Sequence, residues 1–128
     1  MGMWWQIVFA GLSGAIMVAM GAYATHSGGG EQARAWLQTG AQYGLWHSIA
    51  LLGVAAIAAR SRPSRLLTLS GALFAAGIVL FSGSLFVRAL TPLYWVSKAT
   101  PLGGVCFIAG WLLLAAYGAA LYLDDDGR

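Results

Sequence analysis

Four residues in this chain could bind or transfer something in an apolar setting: His26, His47, Arg88 and Cys106. Imidazole ligates haem iron and transition metals, thiolate prefers soft metals, and a guanidinium grips anions. The spacing around each narrows those uses. His47 shares a helical face with Tyr43 and Gly40, four and seven residues earlier, the placement of a hydrogen-bonded contact between helices. His26 closes a long apolar run, where it can meet water or the last carbonyls of a helix. Arg88 sits close enough to the end of another run to snorkel towards an interface. Cys106 reads as a small packing residue, because no electropositive, accessible surroundings are written around it. Haem or metal ligation is the less favoured use of the histidines. They are expected at different depths, whereas a bis-histidine haem needs both rings on opposite faces of one porphyrin.

The elements that must position these residues follow from where charge is absent. Of 128 residues, seven are Lys or Arg and four are Asp or Glu, so 9% are charged against 59% hydrophobic. A soluble domain runs at roughly 25% charged. That composition excludes a disordered tail, and a single cysteine excludes a disulfide-stapled secreted domain. An ordinary cytosolic enzyme is excluded as well, leaving one small integral membrane domain. Stretches 1–30, 35–59, 66–87 and 99–123 contain no charge at all. A spanning helix needs roughly 20 mainly apolar residues, and all four stretches supply them. Continuous apolar runs without alternation fit helices rather than barrel strands. The expected fold class is therefore all-α, an integral membrane four-helix bundle of antiparallel, up-and-down topology, with spans near 3–24, 39–59, 66–90 and 101–123.

Local chemistry marks the connections. Ser27-Gly28-Gly29-Gly30 costs too much backbone entropy to remain helical. Helical spacing resumes with Glu31 and Arg34 at i, i+3, so the second helix is expected to start outside the apolar zone. Arg60-Ser61-Arg62-Pro63-Ser64-Arg65 is a short polar turn that forces a helical hairpin. Thr91-Pro92 ends the third helix. Thr100 is expected as the N-cap of the fourth, with Pro101 at its first position. The Ala22-Tyr23-Ala24 triplet could end a signal peptide, but no basic residue precedes the apolar run and the run is too long, so the first stretch is read as a retained span. Three arginines in the 60–65 turn, with Arg128, outweigh Arg34, Lys98 and Arg88 on the other side. The expected location is the inner (plasma) membrane, multi-pass, with both termini cytoplasmic. Trp4, Trp5, Tyr94 and Trp95 fall where interfacial aromatics gather.

Four crossings bring distant residues to one end. The end of helix one, the start of helix two, the end of helix three and the start of helix four share a side. His26, Tyr43, His47, Ser84, Arg88 and Thr100 are thereby expected within two to three turns of the extracytoplasmic face, joined by Ser82 and Cys106. Ionisable residues inside spans are costly, so this group is the candidate ligand-binding site. Gln6, Ser13, Thr68 and Ser70 are the sparse counterpart in the other half. Small residues are expected to line the inner faces: Ala10, Gly14 and Gly21; Ser70, Gly77 and Ser84; Gly103, Cys106 and Gly110.

Several activities lack their residues. No Asp or Glu lies inside a span, which disfavours a carboxylate-driven exporter. There is no phosphate-binding loop, no paired carboxylates and no nucleophile elbow, so no catalytic residue and no resident cofactor or metal is expected. A net charge of +3 spread over few residues offers no face for nucleic acid. The leading expectation is a non-enzymatic accessory or partner-binding subunit that contacts the lipid bilayer and a second copy or another membrane protein. The alternative is transport or binding of a small, lipid-like molecule such as a quinone.

The segments GAYATH (21–26), AQYGLWHSIALL (41–52), FSGSLFVRALT (81–91) and TPLGGVCFIAGWLLLA (100–115) resemble the YgdD-like family of small four-helix membrane proteins, a domain of unknown function. The resemblance covers nearly the whole chain, and His26 and His47 fall at the family's two histidine positions. It implies the fold and the membrane location, and no reaction.

Overall fold

The computed structural model describes residues 3–27 and 29–127. Gly28 of the glycine link and Arg128 of the basic count lie outside the described residues. The helices are α1 (Trp4–His26), α2 (Glu31–Ala59), α3 (Arg65–Gly77), α4 (Gly83–Leu90) and α5 (Ala99–Asp126). A π-helical segment, Ile78–Ser82, joins α3 to α4, and a short 3-10 helix, Tyr94–Lys98, precedes α5. Four helical stretches are long and apolar enough to cross a membrane: Trp4–His26, Glu31–Ala59, Arg65–Leu90 and Tyr94–Asp126. No strand occurs among the described residues. The protein is a helical bundle of the membrane.

The links stop the helices by ordinary means. Past α1, Ser27 turns extended while its N–H still reaches Tyr23 C=O at 2.8 Å. Arg34 donates from Nη2 to Ser27 C=O at 3.2 Å, so this charge ties the start of α2 to the end of α1. Thr91, forced extended by Pro92, closes α4 with both its N–H and its hydroxyl on Val87 C=O. The start of the fourth span differs from the sequence expectation. Thr100 is not the N-cap: the helix already runs from Ala99, and the Thr100 hydroxyl is turned to Ser84 instead. Pro101 still falls in the first turn, where its missing N–H goes unused.

The core lies along the seam between α2 and the third span. α1 packs chiefly along α2, and α5 chiefly along α3 and the π segment. Phe74, Leu51, Val54 and Leu67 are buried there, with Met17 reaching in from α1 and Phe107 from α5. Two faces therefore stay largely outside, and their exposed side chains are apolar: Ile7, Val8, Leu12 and Ile16 on α1, and Leu102, Val105, Ile108 and Leu112 on α5. Lipid is the solvent such faces require.

The expected inner stripes hold for two spans and shift on a third. Ser70, Gly77 and Ser84 are buried, as are Gly103 and Gly110, with Cys106 half-buried between them. On α1 the buried positions are Gln6, Ala10, Ser13, Met17 and Ala24. Gly14 faces open space instead, with nothing within 4 Å of where a Cβ would stand. Met17 and Gln6 carry the volume and the hydrogen-bonding groups that glycine lacks, and they take the inner face.

Candidate functional site

His47 is the centre of an aromatic cluster near the middle of the bundle, more than four turns past the start of α2 and so deeper than the two to three turns expected of it, because α2 already begins at Glu31. Glycines on its neighbours make room for rings around it. A Cβ on Gly110 would stand 2.7 Å from the Phe74 ring, and one on Gly77 would run into Phe107. Phe107 lies flat on the imidazole, with centroids 3.5 Å apart and planes 9° from parallel. Phe74 and Trp111 meet it tilted and edge-on, at 5.6 and 6.1 Å. Phe81 bridges from Phe107 to Tyr43, at 5.5 and 5.1 Å.

Both imidazole nitrogens are used. Nδ1–H donates to the Tyr43 C=O one turn earlier at 2.7 Å, and Nε2 accepts from Trp111 Nε1–H on α5 at 3.1 Å. An indole N–H can only donate, so Nε2 carries the lone pair and the ring is the neutral Nδ1–H tautomer. This fixes what the site can do. His47 orients Trp111 and joins α2 to α5; to ligate a metal through Nε2 it would first have to release the indole. Among the described residues no three His, Cys, Asp or Glu side chains gather as a ligand set.

The other expected residues fall into separate local groups. Ser84 and Thr100 meet directly, hydroxyl to hydroxyl, at 2.6 Å, which ties α4 to α5. Arg88 is held by aromatic faces, its guanidinium 4.5 Å from the Trp36 ring centroid and 4.3 Å from that of Tyr94. Such stacking suits a planar, weakly hydrated cation at the edge of a membrane. Tyr43 is 39% exposed, with its ring against Trp46 and Phe81 and its carbonyl on His47. His26 is exposed in the last turn of α1.

Partners from unremarked positions complete these groups. Trp111, Phe107 and Phe74 surround His47; Trp111 follows Gly110, Phe107 lies one turn from Gly103 and Gly110, and Phe74 one turn from Gly71 and Gly77, a small-and-large pattern that sequence could have offered. Ser82, expected in the polar group, has a partner that the sequence did not indicate. Its hydroxyl donates to Gly40 C=O at 2.6 Å. The π segment carries it: Gly44 of α2 leaves room for Ser82 and Met17 on one side, and Gly103 of α5 lies against the Phe81 backbone on the other. π turns recur at functional sites, and no periodicity in 66–90 announces this one.

Further hydroxyls bridge the spans beside this cluster: Ser13 and Ser48 meet at 2.7 Å, and Ser70 donates to Gly110 C=O at 2.9 Å. Gln6, near the start of α1 and towards the 60–65 end, is fully buried with neither amide atom partnered.

Four apolar spans joined by hydroxyl bridges and close glycine contacts define a small multi-pass membrane protein of the helical-bundle class. The family model described as "Protein of unknown function (DUF423)" matches residues 18–104. The chain is 42% identical over 112 residues to the inner membrane protein YgdD of Escherichia coli K12, covering 85% of each. It is 36% identical over 120 residues to the membrane protein YwdK of Bacillus subtilis, covering 91% of this chain and 97% of that one. A membrane protein of Haemophilus influenzae is 39% identical over 116 residues, with 88% and 91% covered. No solved structure matches. The chain belongs to this family of integral membrane proteins, named UPF0382 in its relatives.

Proposed function

We propose that the protein is a non-enzymatic membrane subunit that holds a second transmembrane helix, in the first instance α1 of another copy of itself. The observation that carries this reading is an unfilled groove of about 570 Å3 between α1 and α2, walled by Gly11, Gly14, Ala15, Val18, Leu45 and Ile49. Nothing lies within 4 Å of a Cβ placed on Gly11 or Gly14. Gly11, Ala15 and Ala19 recur every four residues on that face. In a bilayer, where apolar side chains gain nothing by leaving lipid, such small-residue faces are what lets two backbones approach. A small-residue face of this kind can meet its own copy across a two-fold axis.

The test is association in vesicles, read by energy transfer between donor- and acceptor-labelled copies. Gly11→Leu with Gly14→Leu fills the groove, and since a Cβ at either position meets no neighbour within 4 Å the added side chains enter open space along the groove walls, so thermal stability holds while energy transfer falls to the level of random mixing. Undiminished transfer in that variant, or none in the wild type, overturns the reading. Both termini are placed in the cytoplasm on the weight of Arg60, Arg62 and Arg65 in one short turn. A reporter fused after Arg128 that is active only in the periplasm should stay silent.

A second reading is binding of a quinone-like molecule by His26, Tyr43, His47, Ser84, Arg88 and Thr100. The exposed rings of Tyr43, Trp46 and Trp111 beside His47 favour it, since they offer flat faces to a flat ligand. On this reading His47→Ala abolishes the thermal stabilisation that an added ubiquinone analogue gives; an unchanged response rejects it.

A further inference from the structure

We infer that the cavity at the 60–65 end of the bundle binds the headgroup of a membrane glycerophospholipid: a phosphodiester that carries a hydrogen-bond donor of its own. The cavity, about 520 Å3, is formed by the start of α1, the end of α2 and the start of α3, with Trp5, Gln6, Ser61, Ser64 and Thr68 in its lining.

Gln6 sets the requirement. It is 0% exposed, and both Nε2 and Oε1 lack a partner. Its amide rests on Gly71, where a Cβ would collide with it, so the bundle has made room for this side chain without providing anything for it to bond. Buried amides in native proteins are almost always bonded, and in lipid surroundings the demand is stronger. A ligand that satisfies Gln6 must accept from Nε2–H and donate to Oε1.

Two further features specify the acceptor. α3 begins at Arg65 behind Ser64, whose hydroxyl makes no cap bond, so the N–H groups of the first turn of this 13-residue helix are left open beside the cavity. A helix start favours anionic oxygen. Arg60, Arg62 and Arg65 are all exposed on the same turn, and they add the positive field that draws anionic headgroups to a membrane surface. Depth identifies the source. Apart from Ala72, two turns into α3, the lining residues lie in the 60–65 turn or within about one turn of a helix end, and Gln6 is within one turn of the start of α1, beside Trp4 and Trp5. That is headgroup level. A phosphate oxygen takes Nε2–H and the α3 N–H groups, and a headgroup hydroxyl or ammonium gives its proton to Oε1.

The test uses the full chain in a neutral maltoside detergent, with thermal unfolding as the readout. Short-chain phosphatidylglycerol, which has headgroup hydroxyls, should raise the midpoint by about 4 °C at roughly ten times its Kd. Phosphatidylcholine with the same acyl chains has no headgroup donor and should give less than half that rise. In Gln6→Leu the difference between the two lipids narrows to the charge preference that Arg60, Arg62 and Arg65 still give, and the lipid-free midpoint lies above that of the wild type, because an apolar side chain of similar size needs no partner. If soluble glycerophosphoglycerol reproduces the full rise, the site still reads the diester and its donor, and the source is soluble rather than lipid. Equal responses to the two lipids in the wild type, a comparison that needs no variant, overturn the inference. So does an unaltered preference in Gln6→Leu.

Discussion

His47 and Gln6 are both large polar side chains buried within a membrane bundle, and their surroundings are opposite. His47 has a carbonyl for its N–H, an indole for its lone pair and a phenyl ring over its face. Gln6 has no hydrogen-bond partner. In hydrocarbon an unmade hydrogen bond is not replaced by water, so a polar group either finds its partner inside the protein or must take one from outside. The cluster around His47 is closed on itself. The end of the bundle around Gln6 is built to be completed.

The contrast can be broken at several points, in descending order of effect. Gly103→Leu should do the most harm, because a Cβ there already falls against the Phe81 backbone, which no rotamer change relieves. The α5–π seam would have to part, with a loss of about 3 kcal/mol or more, seen as a drop in the unfolding midpoint and in monodisperse yield. His47→Ala should cost about 3 kcal/mol, from a cavity under Phe107 and an orphaned indole N–H. If it costs no more than a surface substitution, His47 is not the centre of that cluster. Trp111→Phe keeps most of the ring contact while leaving Nε2 unpaired, so a loss of about 1 to 2 kcal/mol is expected, read by denaturant titration in detergent. Ser82→Ala should cost about 0.5 to 1.5 kcal/mol, the range of single inter-helix hydrogen bonds in membranes. Arg88→Gln, which removes the cation from between Trp36 and Tyr94, should cost about 0.5 to 1 kcal/mol.

Much of the fold was legible because its cause is one-dimensional. Whether a stretch can cross a bilayer depends on charge-free length, so the four uncharged runs marked four helices. Pro92 and the 60–65 turn act through local backbone geometry, and they end helices where their neighbours alone require it. Two expectations failed where local rules meet a competing partner. Thr100 has the chemistry of an N-cap, yet Ser84 lies opposite and takes its hydroxyl. Gly14 has the size for an inner face, yet Met17 and Gln6 turn that face inward and leave it outside.

The site was less legible than the fold. His47 and Tyr43 could be paired from spacing, because four residues is one helical turn. Ser84 with Thr100, Arg88 with Trp36 and Tyr94, and His47 with Trp111 could not, since each pairing crosses between helices whose rotations no single helix records. The π segment was hidden for the same reason: a widened turn is stabilised by Gly40, Gly44 and Gly103 on other spans, not by the residues it contains.

By itself the sequence determined the number of membrane-length helices and the apolar exterior, because burial in lipid rewards composition and length. Only the tertiary structure decided which polar groups are satisfied. A hydrogen bond needs its donor and acceptor within about 3 Å, and a distance that short between different helices is fixed by how they pack, which is why His47 has its partners and Gln6 does not.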